Sequence, residues 1–174
     1  MILTPRLRLI PCDDTLFDAI RMGNNILARV LGANVPKKWT DFRDTFGPMY
    51  VRWKAHPELH DWWTHLIVYR PDNILIGVCG YKGEPDAEGV VEIGYEIRDS
   101  HRSKGLATEA ARGLVEHAFS HEAVQKVIAH TVSEENHSSL LLQKLGFTKI
   151  PEPIETDGQQ FTRWEVIRLT YKSA

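Results

Sequence analysis

The residues best suited to chemistry lie in a short basic loop that leads into a helix. The loop follows a β-rich run and precedes a segment with helical spacing of apolar residues. The first backbone N–H groups of a helix have no partner inside it, so an anion there completes their hydrogen bonding. Gly105 lets a ligand approach the main chain, and Arg102 and Lys104 add positive charge. The segment Arg102-Ser103-Lys104-Gly105-Leu106-Ala107-Thr108-Glu109 therefore has the position of a phosphate-binding loop.

Two carboxylates lie on the β-rich run before the loop. Glu92 and Glu96 are four residues apart, so the two-residue period of a strand puts them on one face. A carboxylate can take a proton from an amine directly or through a water molecule. The alternative for each carboxylate is a solvated or salt-bridged position on the strand. The basic loop has an alternative of its own, because taken alone it is compatible with a solvated turn before a surface helix.

No metal site is predicted. His117 and His121 have the i, i+4 spacing of a zinc-binding pair, but no acidic or cysteine partner stands at a supporting spacing. They are therefore interpreted as a surface pair. Cys12 and Cys79 are far apart in the chain, and Cys79 lies in an apolar stretch, which indicates reduced thiols and a cytoplasmic location.

The element that follows the loop is the clearest helix of the sequence. Apolar residues recur with helical spacing from Ala107 to Ala118. Residues 90–98 before it and 124–132 after it have the composition of strands. Strand, helix and strand with this connection length predict a parallel pair joined by a right-handed crossover.

The rest of the chain predicts antiparallel strands and short helices. Residues 62–69 and 74–82 are β-rich and flank a proline-containing turn, which indicates a hairpin that extends through residues 90–98 into a meander. Residues 13–56 predict two or three short helices, and residues 138–145 predict another. Two extended segments flank the Asp157-Gly158 turn.

Composition excludes several classes of protein. The 174 residues fit one domain, residues 1–174, and the formal charge of −2 gives no bulk attraction to nucleic acid or to an anionic membrane. No apolar run reaches the roughly 18 residues of a membrane helix, and the N-terminus lacks the features of a signal peptide. A ligand phosphate must therefore be held locally.

With these features the chain resembles the GNAT superfamily of acyl-CoA-dependent N-acyltransferases, in particular the branch that contains ribosomal-protein N-terminal acetyltransferases. Val91 to Ile97 is similar to that branch's central strand, and Arg102-x-x-Gly105-x-Ala107 matches its pyrophosphate loop, Q/R-x-x-G-x-G/A. Leu145-Gly146-Phe147 resembles the end of the family's last helix. The resemblance implies an α/β (α+β) fold with a mixed, mostly antiparallel central sheet of about six to seven strands flanked by helices.

The resemblance also implies roles for individual residues. Backbone N–H groups from Arg102 to Ala107, and that of Thr108, would bind the pyrophosphate of acetyl-CoA, and main-chain groups near Ile97 would pair with the pantetheine. Glu92 is close to where related enzymes place a catalytic carboxylate. Asn136 and Ser139 on the last helix would complete the cofactor and catalytic sites.

Two departures from the family pattern affect that last helix. Asn136 to Gly146 spans ten residues, one fewer than the family usually has, and one residue turns a helix by about 100°. Either Asn136 and Ser139 keep their roles on a shortened helix, or Ser138 takes the inward position with Glu135 in place of the asparagine. Many family members also carry a tyrosine acid here, and the nearest positions are Leu142 and Gln143, which leaves Ser138, Ser139 or water.

The predicted activity is transfer of an acetyl group from acetyl-CoA to an amine, by direct attack in a ternary complex. An α-amino group near pKa 7.8 is about one-tenth neutral at pH 7, whereas a lysine amine is neutral only to a few parts in ten thousand, so the acceptor sets the need for a base. A protein N-terminus and a small amine both remain open as acceptors, as does the oligomeric state. The alternative is a non-catalytic acyl-CoA-binding module. A dinucleotide-binding oxidoreductase is disfavoured because no G-x-G-x-x-G occurs.

Overall fold

The computed structural model describes residues 1–132, 137–151, 154–156 and 158–171. Within them the strands are β1 (Ile2–Leu3), β2 (Leu7–Pro11), β3 (Thr64–Tyr69), β4 (Ile74–Tyr81), β5 (Val90–Ile97), β6 (Lys126–Val132), β7 (Thr148–Lys149), β8 (Ile154–Thr156) and β9 (Gln159–Ile167). The α-helices are α1 (Asp14–Met22), α2 (Asn24–Leu31), α3 (Phe46–Ala55), α4 (Leu106–Ser120) and α5 (His137–Lys144), with 3₁₀ turns at Arg43–Thr45, Pro57–Trp62 and Asp99–His101. None of the helices described is long and apolar enough to cross a membrane.

The strands form one sheet in the order β1-β2-β3-β4-β5-β6-β9-β7, with β8 paired to β9. Among the described strands, only β5 and β6 are parallel neighbours. The predicted α/β class, the antiparallel meander and the parallel crossover are therefore confirmed. The described sheet has nine strands rather than six to seven, because β1, β7 and β8 have only two or three residues and show no period in the sequence.

Apolar layers cover opposite faces of this sheet. On one face, Leu106, Ala110 and Leu114 of α4 belong to a buried cluster with strand residues that include Ile93. On the other face, α1, α2, α3 and the segment before α3 form a second cluster over β3 and β4, with Trp39 among its largest buried side chains. Successive residues of β3 and β4 belong to opposite clusters, as strand geometry requires, with a shift where the β3–β4 register is irregular. The central strands are thereby fixed from both sides.

The C-terminal end of α4 is held by one arginine. The Arg168 guanidinium donates hydrogen bonds to the carbonyl oxygens of Phe119, His121 and Val124, at 2.6, 2.5 and 2.8 Å. The last carbonyls of a helix have no partner inside it and carry partial negative charge, so a forked cation fits them well. This contact ties α4 to the chain that leaves β9.

The histidine pair on α4 is less exposed than the sequence indicated. His117 and His121 are half-buried, and the ring centroids of His121 and Trp62 are 4.8 Å apart. The Tyr81 hydroxyl lies 2.9 Å from His117 Nδ1. Both rings stay partly exposed, and Trp62, which lies before β3 rather than in it, packs against them. No cluster of three or more potential metal ligands occurs among the described residues.

Candidate active site

The sheet opens between β5 and β6. The two strands pair from Val90 with Lys126 to Glu92 with Ile128. Beyond that point β6 continues against β9, and β5 continues against β4 as far as Ile97. In the part of the chain that the structure describes, no strand pairs with β5 beyond Glu92 on its β6 side. A gap in the ladder therefore runs from Glu92 towards the loop after β5.

The main chain of β5 presents hydrogen-bonding groups to this gap. The Lys82 N–H, just after β4, donates to the Glu92 carbonyl, so the main-chain groups of Glu92 point towards β4. In an antiparallel ladder such residues alternate with residues that face the opposite edge. The residues that face the gap are Ile93, Tyr95 and Ile97.

The predicted contact near Ile97 is partly used inside the protein. Arg102 Nε donates to the Ile97 carbonyl at 2.8 Å, and Arg102 Nη1 lies 2.7 Å from an Asp99 carboxylate oxygen. The Arg102 N–H donates to the Asp99 carbonyl at 3.1 Å. Arg102 therefore fixes the entry to the loop, and the groups that remain for an anion lie further along it.

The backbone of the loop has a shape that could hold an anion, and we call Arg102 to Thr108 the anion cradle. Ser103 has φ of 60° and Gly105 has φ of 73°, so two left-handed residues flank Lys104. A non-glycine residue in this region costs of order 1 kcal/mol, and such strain concentrates at functional sites. No side chain caps α4, and its first internal bond runs from the Glu109 N–H to the Gly105 carbonyl. The N–H groups that precede this bond and have no acceptor within the helix are those of Leu106, Ala107 and Thr108.

The N-terminal hairpin holds the loop and the first turn of α4 in place, a contact that the sequence did not reveal. Glu109 accepts hydrogen bonds from the Thr4 hydroxyl at 2.6 Å and from the Arg6 N–H and Nε, both at 2.7 Å. Arg6 Nη1 also donates to the Lys104 carbonyl at 3.0 Å. Glu109 is thus a structural carboxylate that anchors the cradle to β1 and β2.

This anchor should make stability depend on pH. Burial raises the pKa of the Glu109 carboxyl, but hydrogen bonds from Thr4 and Arg6 outweigh it, so the pKa is lowered overall. A carboxyl with a lowered folded pKa stabilises the fold above its unfolded pKa and loses that effect as pH falls through the folded pKa. Glu109→Gln should therefore cost about 1–3 kcal/mol at pH 7, and its difference from wild type should shrink below about pH 4.3.

Urea unfolding from pH 7 to pH 3 measures this difference. Glu122→Gln removes the same charge from an exposed position and is the matched control, expected to lie within about 0.5 kcal/mol of wild type at every pH. A Glu109→Gln deficit that stays constant down to pH 3 would contradict the ionic role of the carboxylate.

Glu92 lies at the closed end of the gap and has two basic partners. Its Oε1 accepts from His130 Nδ1 at 2.8 Å and forms an ion pair with Lys82 Nζ. The Glu92 and His130 side chains are 20% and 19% exposed. His130 was missed by the sequence analysis, because the pairing joins residues on neighbouring strands and leaves no local signal. The period of β6 alone would have placed it on the same face as Ile128.

Glu96 has a different environment although it shares a face with Glu92. It accepts hydrogen bonds from the Thr40 hydroxyl and, at 2.8 Å, from the Asp41 N–H. These bonds fix the segment before α3 to the central strand. Of the two carboxylates, Glu96 is thus the structural one.

The predicted serines lie on α5, which packs beside α4 on one face of the sheet. Ser139 is buried and Ser138 is half-buried, so α5 turns Ser139 towards the protein interior. Burial raises the pKa of the nearby Tyr95 hydroxyl to about 12, an effect that the Ser138 hydroxyl partly offsets. Asn136 and Glu135 lie outside the described residues.

The predicted catalytic residues thus come from opposite sides of the sheet. Glu92 projects from the face opposite α4, whereas α5, which carries Ser139, packs on the α4 side. The gap between β5 and β6 separates them. A long ligand that enters at the α4 N-terminus and follows the gap would pass between a proton acceptor on one side and hydroxyl groups on the other.

An uncapped helix N-terminus beside a strand with a free edge can hold an anion and an extended chain together, and the similarity to known proteins identifies the family. Residues 6–148 match the family model described as "Acetyltransferase (GNAT) domain". The chain belongs to the GNAT family, and it is an acyl-CoA-dependent acetyltransferase. The predicted family and enzyme class are confirmed.

Individual relatives support the same assignment. The chain is 32% identical over 149 residues to the uncharacterized N-acetyltransferase YjdG of Bacillus subtilis strain 168, a match that covers 83% of this chain and 87% of YjdG. Among solved structures, the fold is similar to RimL, a ribosomal L7/L12 α-N-protein acetyltransferase in complex with coenzyme A, with a TM-score of 0.68, 16% identity and coverage of 94% and 95%. It is also similar to a spermidine N-acetyltransferase from Vibrio cholerae, with a TM-score of 0.66, 17% identity and coverage of 95% of each chain.

Proposed function

We propose that this acetyltransferase moves the acetyl group of acetyl-CoA to an amine by direct attack in a ternary complex. The observation that carries the proposal is that, among the described strands, β5 is unpaired on its β6 side from Ile93 to Ile97 and leads into the uncapped N-terminus of α4. The N–H groups at the start of α4 would bind the pyrophosphate, and the β5 edge would pair with the pantetheine. The thioester would then lie near the Glu92 group, where an amine can lose its proton.

The cysteines support direct attack over a covalent enzyme intermediate. The chain has two, Cys12 and Cys79, and both are buried free thiols. Burial raises the pKa of each thiol well above its usual range. Since the thiolate is the nucleophilic form, neither cysteine is suited to accept the acetyl group.

The acceptor is an amine of either of two kinds, a protein N-terminus or a small amine. RimL and the spermidine enzyme, which share the fold, are named for one kind each. Ser139 and Ser138, with the Tyr95 hydroxyl nearby, supply proton donors on the side of the sheet where the CoA thiolate would leave. A hydroxyl is a sufficient donor because a thiolate is a good leaving group.

The test combines binding and turnover. Saturation with acetyl-CoA at 100 times its Kd should stabilise the protein by about 2.7 kcal/mol and raise the Tm by roughly 5–10 °C. Thiol release should then be followed with a panel that contains a peptide N-terminus, a polyamine and small primary amines. At least one class should release CoA in proportion to acetylated product.

Two results would contradict the proposal in different ways. An unchanged melting curve with saturating acetyl-CoA would exclude the donor site. A clear Tm shift without thiol release for any amine would instead identify the protein as a non-catalytic acyl-CoA-binding module.

A further inference from the structure

We infer that His130 Nε2 takes the proton from the acceptor amine, and that Glu92 is a positioning residue for His130 rather than the base itself. The inference rests on the proposed function, because it concerns the proton that an amine must lose before it attacks the thioester. It reassigns the proton acceptor from the strand carboxylate, which sequence reasoning favoured, to a histidine on the neighbouring strand.

The first observation is that Glu92 Oε1 is already engaged twice. His130 Nδ1 lies 2.8 Å from it, and Lys82 Nζ forms an ion pair with the same oxygen. To take a proton at Oε1 the carboxylate would have to give up one of these donors. A carboxylate held in this way is well suited to orient an imidazole, as in the carboxylate–histidine pairs of other catalytic sites.

The second observation is the state of the imidazole. Since the Glu92 carboxylate is an acceptor only, the Nδ1 of His130 must carry the hydrogen in their bond. The neutral ring then has its lone pair at Nε2. That atom is buried and has no hydrogen-bond partner among the described residues. A buried imidazole nitrogen with an unused lone pair is a polar group that a substrate N–H would satisfy.

The third observation is position. Pairing between β5 and β6 ends at Ile128, and His130 is the next residue on the same face of β6. It therefore lies where the sheet opens, beside the gap proposed for the pantetheine. An amine that approaches from the face opposite α4 would meet His130 and Glu92 at this point.

The other charged groups that face His130 are largely paired with one another. Arg163 of β9 is paired with His130 of β6, and Arg163 Nη2 lies 3.3 Å from Glu165 Oε2. The same Glu165 oxygen lies 3.1 Å from Lys126 Nζ. Lys82, which follows β4, forms an ion pair with Glu92 of β5. Glu92 is thus the one group among them that bonds directly to His130.

The proton balance of the step is complete. The ammonium form of the acceptor gives one proton to His130 Nε2, and Glu92 stabilises the imidazolium. The neutral nitrogen forms a bond to the thioester carbonyl carbon, and the C–S bond breaks as CoA leaves as a thiolate. The second proton lost from nitrogen neutralises the thiolate, and His130 returns its proton to solvent.

The experiment uses the amine identified by thiol release and compares His130→Ala, His130→Gln and Glu92→Gln. Both His130 variants should lower kcat by roughly 10²–10⁴-fold and keep the Tm shift with acetyl-CoA. Added imidazole should restore part of the activity of His130→Ala. The decrease of kcat at acid pH that wild type shows should be absent from both His130 variants. Glu92→Gln should lower kcat about tenfold, because a glutamine oxygen still accepts from Nδ1, and imidazole should not rescue it.

A matched control is available in His56, whose Nδ1 lies 3.3 Å from Glu58 Oε1 in an exposed pair. His56→Ala should keep wild-type kcat and show no response to imidazole. If His130→Ala keeps kcat within about threefold, or shows an unchanged acid limb, His130 is not the base. If Glu92→Gln loses more activity than both His130 variants, the carboxylate itself takes the proton. Loss of the Tm shift or of thiol release in wild type would instead contradict the proposed function.

Discussion

Gly105→Val should raise the KM for acetyl-CoA by roughly 10–100-fold and remove most of the Tm shift that the ligand gives. Gly105 has φ of 73°, a conformation that a β-branched residue adopts only with strain. A Cβ at this position would meet only the Arg6 side chain, at 3.6 Å, so the effect comes from the backbone and not from a clash. A loop relaxed to negative φ would no longer turn its N–H groups towards one anion.

Gly32→Val is the matched control. Gly32 follows α2 with φ of 63°, has open space around its Cβ position and lies away from the gap. Both variants should lose a similar free energy of unfolding, of order 1–2 kcal/mol, but only Gly105→Val should lose affinity for acetyl-CoA. Equal acetyl-CoA KM values for Gly105→Val and wild type would exclude this loop as the pyrophosphate site.

The loop and its helix could be predicted because their determinants are local. The helical spacing of apolar residues predicted α4 to within two residues at each end, and one glycine among basic residues indicated where the chain turns. The strand before it was found for the same reason. The helix, the loop and the strand are each determined by residues that lie close together in the sequence.

The residues that complete the site were missed because their partners are distant in the sequence. Glu109 lies in the first turn of α4, but its bonds to Thr4 and Arg6 span more than 100 positions. His130 and Glu92 are 38 positions apart and meet only because β5 and β6 are parallel neighbours. Strand parity gives the face of each side chain, but it does not give the register between strands.

Tyr95 shows a further limit of reasoning by motif. The family pattern places a tyrosine acid on the last helix, where this chain has Leu142 buried in the core and Gln143 exposed. The structure brings a tyrosine from β5 to the first turn of α5 instead, next to Ser138. A hydroxyl can thus reach the same region of space from a different element.

Gly77→Ala should lower the free energy of unfolding by about 3 kcal/mol or more, which corresponds to a fall in Tm of roughly 6–12 °C. An added Cβ would overlap the carbonyl oxygen of Glu96 and lie 3.1 Å from the Ile97 Cα. Both are backbone atoms, so no side chain can rotate away and β5 itself must move. Thermal and urea unfolding measure the loss.

The position of Gly77 links this stability effect to the site. The strand that must move is the one whose free edge faces the gap, at the residues just before the anion cradle. Gly77→Ala should therefore also raise the acetyl-CoA KM at temperatures where it is fully folded.

Gly94→Ala is the control for stability, since a Cβ there meets nothing within 4 Å, and it should change the free energy of unfolding by less than about 1 kcal/mol. A Gly77→Ala protein with wild-type stability would show that β4 and β5 are not packed as closely as the glycine contact requires.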